Sequence, residues 1–124
     1  MNKERNLEVL KAAWEALGRA DMDAVAAAYA DDMIFVLPGQ NDVLRGRAAF
    51  RSALDGIGAA LPPGFKITDL RYFTGDDELV NIVEWKSDKI ASGTQSAILW
   101  KFNERGQITE ERWYVDTEQW KAAW

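Results

Sequence analysis

The order of hydrophobic periods predicts an α+β fold: a curved antiparallel sheet folded around a helix-lined, apolar cavity. Three observations lead there. Apolar residues recur at helical spacing over most of the chain before Pro62. The "PPG" at Pro62 to Gly64 is its sharpest break. Beyond it the period becomes strand-like, in four segments separated by turn-rich links. No repeat, low-complexity run or linker interrupts the 124 residues, which read as one domain, 1–124.

Leu7, Leu10, Trp14 and Leu17 mark the first helix, and Gly18 is placed to stop it. "RADMDAVAAAYA" predicts a second helix with Asp21 as N-cap and Met22, Val25 and Tyr29 on one face. "MIFVLPG" is a short strand broken by Pro38-Gly39. A loop with Val43 and Leu44 then leads into a third helix, "GRAAFRSALDGIGAAL", along Phe50, Leu54, Ile57 and Leu61. The four later strands are "FKITDLRYF", "LVNIVEWKS", "TQSAILWKF" and "QITEERWYV". In the first of them the apolar phase slips between Ile67 and Leu70, which predicts a bulge. The tail "TEQWKAAW" suits a last helical turn or two.

Composition removes several classes of chemistry. Fifteen basic against twenty acidic residues give a net charge of −5, with no basic stripe, so no nucleic-acid partner is expected. The chain has neither cysteine nor histidine, which excludes thiolate and histidine catalysis and the usual zinc and non-haem iron sites. No metal is expected. Acid–base work would fall to carboxylates, lysine or tyrosine. With no GxGxxG or P-loop signature, no cofactor is expected either. There is no apolar run long enough to cross a bilayer, and "MNKERNLEVL" has no signal-peptide core. The expectation is a cytoplasmic protein with no membrane partner.

"YADDMIFVLPG", "GRAAF" and "GQITEERWYVD" resemble segments of the NTF2-like superfamily, and of its SnoaL-like branch in particular. The resemblance runs from Leu7 to about Trp120. It implies a conical fold around a cavity for a small hydrophobic ligand, and a homodimer paired through the outer sheet face. It does not imply one activity, because the family reuses its cone for isomerases, cyclases, epoxide hydrolases and non-catalytic binders. Compared with ketosteroid isomerases, the general-base position holds Leu37, the oxyanion tyrosine falls at or beside Ala13 and its partner acid at about Ile98. The acid of SnoaL-type polyketide cyclases falls at Trp113, whose indole cannot shuttle a proton at neutral pH. Limonene epoxide hydrolases place an aspartate in register with Asp116. Their arginine, second aspartate, tyrosine and asparagine positions carry Glu84, Lys86, Phe35 and Leu37.

Three charged residues remain as catalytic candidates: Asp116, Glu84 and Lys86. Glu84 and Lys86 lie two apart and share a sheet face, with Trp85 on the other. On the inner face they would be a proton-transfer pair beside Asp116. On the outer face they would be a solvated pair. The resemblance favours the inner face for the pair, leaving Trp85 outside at a dimer interface. Asp116 has two readings: a pocket acid, or the N-cap of the tail helix with Gln119 completing a capping box. The ligand wall would take Trp14, Phe35, Leu37 and Phe50 from the first half, and Ile98 and Trp113 from the second. Tyr72 and Tyr114 would offer hydroxyls to the ligand, or else sit with their rings in the core and their hydroxyls at its rim. Two functions stay open: a cofactor-independent isomerase, cyclase, lyase or hydrolase, and a hydrophobic-ligand-binding protein without chemistry.

Overall fold

A computed structural model describes residues 2–36 and 43–124, so Leu37, an expected wall residue, lies outside the described residues. The first helix, α1 (Asn2–Gly18), buries Asn6, Leu10, Ala13 and Ala16 along one stripe. It ends where expected, and α2 (Met22–Ala27) begins at Asp21, whose carboxylate accepts the Ala24 N–H at 3.1 Å. This second helix is shorter than its alanine-rich sequence suggests. Tyr29 opens β1 (Tyr29–Val36) instead of continuing the helix. The Ile108 N–H donates to the Ala28 carbonyl at 2.9 Å, and Tyr29 is in register with Ile108, so strand pairing outweighs local helix propensity.

The expected loop around Val43 and Leu44 contains a short strand, β2 (Val43–Arg45), antiparallel to β1. The third helix is also interrupted. Its regular part, α3 (Arg47–Leu54), gives way at Asp55 and Gly56 to a 3-10 turn over Ile57–Ala60. After the Pro-Pro-Gly break come β3 (Lys66–Thr74), β4 (Glu78–Lys86), β5 (Thr94–Phe102) and β6 (Ile108–Tyr114), closed by α4 (Thr117–Ala122). The bulge in β3 is present as a register shift between Ile67 and Asp69.

The six strands form one curved open sheet in the order β2-β1-β6-β5-β4-β3. The last four are an antiparallel meander, as expected. However, β1 joins β6 in parallel, so the sheet is mixed and not wholly antiparallel. Its inner face carries Leu79, Val83, Trp85, Ile98 and Trp100, which form one core with Leu10, Phe50 and Leu54 of the helices. Burying each such side chain is worth about 2 kcal/mol. On the outer face, Phe73, Val80 and Leu99 lie in one cross-strand row, and Ile82, Ala97 and Tyr114 in the next.

Candidate functional site

Between the inner sheet face and the helices lies a cavity of about 390 Å³, within the range of small-molecule sites. Leu10 and Trp14 of α1, Phe50 of α3, Phe35 of β1, Trp100 of β5 and Trp113 of β6 contribute to its wall. Among the described lining residues stands one carboxyl, Glu111, which is only 6% exposed.

A register shift on β6 brings Glu111 inside. Opposite β5, Ile108 pairs with Phe102 but Glu110 pairs with Lys101, so the strand accommodates an extra residue there. Strict alternation from Ile108 would turn Glu111 outward. The shift restores it to the inner face, between Phe35 on β1 and Trp100 on β5. Its Oε1 accepts a short hydrogen bond from the Tyr29 hydroxyl, and its Oε2 accepts from Trp113 Nε1 at 2.7 Å. Burial pushes the carboxyl up to about 7, a rise that these two bonds only partly offset. The Tyr29 hydroxyl lies well above its ordinary range, first through burial and then through the neighbouring Glu111.

Tyr29 is itself firmly held. Its ring lies 4.4 Å from that of Phe50, centroid to centroid, and its carbonyl accepts from Arg47 Nη1 at 3.2 Å. Arg47 is also paired with Asp31. Across the ladder, Trp100 lines the cavity, and its buried Nε1 has no hydrogen-bond partner among the described residues. The arrangement suits proton exchange with an apolar ligand: an acid that titrates near neutrality, with its orientation fixed by two donors.

The three charged candidates lie elsewhere. Asp116 is exposed and caps α4, accepting the N–H groups of Glu118 at 3.0 Å and Gln119 at 3.1 Å. The expected capping box is not closed, because the Gln119 side chain accepts from the Thr94 hydroxyl instead. Glu84 and Lys86 are on the outer face, where Glu84 accepts from Gln95 Nε2 at 2.8 Å. Trp85 therefore points inward, only 1% exposed, with its Nε1 donating to Ser96 Oγ at 2.9 Å. The expected placement of the pair inside and the indole outside is reversed: the register of β4 buries Leu79, Asn81, Val83 and Trp85.

Of the expected wall residues, Trp14, Phe35, Phe50 and Trp113 line the cavity. Ile98 is fully buried on the inner face, in the core. Tyr114 is 55% exposed on the outer face, which removes it from the cavity wall. Tyr72 borders a separate groove between α1 and β3, with Lys11 Nζ 5.7 Å from its ring centroid. Sequence reasoning missed Glu111 and the site role of Tyr29. Among the described residues, no group of three or more acidic side chains is placed to hold a metal ion, and no helix is long and apolar enough to cross a membrane.

The family model of the SnoaL-like domain matches residues 10–111, and the chain belongs to that family. Its fold is shared with a candidate polyketide cyclase from Xanthomonas campestris pv. campestris, at 23% identity and a TM-score of 0.79 over 99% of this chain and 98% of that one. Bal32a, from a soil-derived mobile gene cassette, aligns with a TM-score of 0.81 and 19% identity over 100% and 99% of the two chains. RV0760c from Mycobacterium tuberculosis, solved in complex with estradiol-17beta-hemisuccinate, aligns at 0.68 and 20% identity over 92% and 95%. No match was found among curated proteins.

Proposed function

We propose, proceeding from this membership, that the chain binds a small hydrophobic molecule in the cavity and transfers a proton on it without a cofactor. The reaction classes are isomerisation, cyclisation, elimination or hydrolysis. The observation that carries the reading is Glu111, a buried carboxyl with a pKa of about 7 on an apolar wall. Near neutral pH it is present in both protonation states, so it can take a proton from a ligand and return one elsewhere. Tyr29 and Trp113 fix the direction of its lone pairs. Trp14, Phe35 and Phe50 supply apolar contact and keep water from the reacting atoms. The protein works in the cytoplasm, with no nucleic-acid or membrane partner.

A second reading has its own support. Both oxygens of Glu111 already have protein partners, as in a buried acid kept only to order the core. The chain would then be a binder without chemistry. The deciding experiment screens neutral apolar compounds by tryptophan fluorescence and follows each binder by mass spectrometry. Glu111→Gln keeps the shape and most hydrogen bonds of the carboxyl. Enzymatic function requires that this variant lose turnover on the order of 100-fold while binding is retained. Turnover undiminished in the variant removes Glu111 from the chemistry. Binding without turnover in the wild type leaves the binder.

The proposal includes a homodimer joined through the outer sheet face. Its support is the two-row apolar patch there, in which Phe73 is 56% and Tyr114 is 55% exposed.

A further inference from the structure

The polar groups in the cavity wall are chemically unbalanced. Trp113 Nε1 can only donate, so Glu111 Oε2 accepts from it whether the carboxyl is ionised or neutral. The proton of neutral Glu111 therefore belongs on Oε1, the oxygen that faces the Tyr29 hydroxyl. That hydroxyl then accepts from Glu111, and its own hydrogen is released for another acceptor. When Glu111 is ionised, the same hydrogen is bound to Oε1 and nothing is offered to a ligand. Trp100, another wall residue, has a buried Nε1 with no hydrogen-bond partner among the described residues. A buried donor without an acceptor is costly.

No lysine or arginine is among the described residues lining the cavity. Of the cations on the surrounding elements, Arg47 pairs with Asp31, Arg51 with Asp23 and Asp55, Arg112 with Glu110 and Lys101 with Glu78, while Arg45 and Lys121 are exposed. Lys11 and Glu15 border the separate groove beside β3. Asp32, the remaining charge on β1, is exposed. An anion entering the cavity would lose its hydration, meet no opposite charge and confront Glu111.

We propose that the cavity selects uncharged apolar molecules that present one hydrogen-bond-accepting oxygen to Tyr29, and turns carboxylates away. The inference rests on the cavity being a site for hydrophobic ligands, whether or not chemistry follows there.

Three probes of similar shape separate the two ideas: methyl naphthyl ketone, ethylnaphthalene and naphthoate. Equilibrium dialysis against the full chain is run at about pH 5.5 and about pH 8.5, on either side of the Glu111 titration at about 7. The ketone is expected to bind roughly fivefold tighter at the lower pH, the worth of one hydrogen bond, while ethylnaphthalene binds equally at both. At the higher pH, naphthoate should bind at least about tenfold more weakly than the ketone. In Tyr29→Phe the ketone should lose its pH dependence, with ethylnaphthalene binding kept. Ketone binding indifferent to pH in the wild type overturns the inference, as does naphthoate binding that matches the ketone. The wild-type series decides even if the variant fails to fold. If neither ethylnaphthalene nor the ketone binds at either pH, the ligand-site reading itself fails.

Discussion

A carboxyl withdrawn from water must keep its proton or find partners for its charge, and Glu111 does some of each. This has a consequence for stability. The acid moves from an ordinary value of 4.5 to about 7 on folding, so the folded state holds the proton more tightly than the unfolded state. Its contribution favours folding below about 4.5 and is lost as pH rises through about 7, a change of about 3 kcal/mol. Glu111→Gln carries no titrating proton and lacks this slope. Urea unfolding across that window should show the variant gaining on the wild type by about 3 kcal/mol as the pH rises. A constant difference between the two proteins would mean that water reaches the carboxyl. The residue escaped sequence reasoning because the β6 register shift inverts the phase set by Ile108. A usable signal was nonetheless present. Trp113 was expected in the cavity wall, and a residue two positions away on the same strand shares its face.

Elements were legible where local signals and tertiary pairing agreed. Gly18 ends α1, Asp21 caps α2, and the phase slip near Ile67 is a real bulge. They were misread where pairing opposed propensity. "AVAAAYA" looks helical until Ile108 on β6 claims the backbone at Ala28 and Tyr29, and that is how Tyr29 reaches the site. The choice of sheet face for Glu84 and Lys86 was undetermined, because a period of two fixes which residues share a face but not which face is inner. The last element, α4, shows what Asp116 does. A helix of six residues has little stability of its own, and this one depends on its cap and on Trp120. That indole lines the cavity and meets the Trp85 ring edge-on at 5.6 Å. Asp116→Ala should cost about 1 kcal/mol, while Asp116→Asn, which can still accept the N-terminal N–H groups, should stay close to the wild type. Hydrogen exchange at the Glu118 and Gln119 amides is the direct measure. Protection undiminished in the alanine variant would show that Trp120 alone holds the helix.

At the scale of the whole molecule, the sheet has two apolar faces and the helices cover only one. The outer rows of Phe73, Val80 and Leu99, on β3 to β5, and of Ile82, Ala97 and Tyr114, on β4 to β6, lie side by side, the first ended by Arg112 and the second by Arg71. Both signs of charge border them, in the pairs Glu78–Lys101 and Glu110–Arg112. A two-fold interface sets a patch against its own copy, so a patch bearing both signs can place unlike charges opposite each other. Leu99 sits within this surface, between Val80 and Arg112, which makes it the sensitive position. Leu99→Lys would bring two like charges into a desolvated interface, yet on a monomer it would only add a lysine to an open strand face. Light scattering should therefore find the wild type at twice the 14.0 kDa chain mass, and Leu99→Lys at the single mass with an unchanged circular dichroism spectrum. Glu104→Gln, a charge change of the same sign and size in the exposed turn before β6, should leave the dimer intact. A wild type that remains at the single mass at high concentration would end the proposal. The exposed aromatics would then need another explanation.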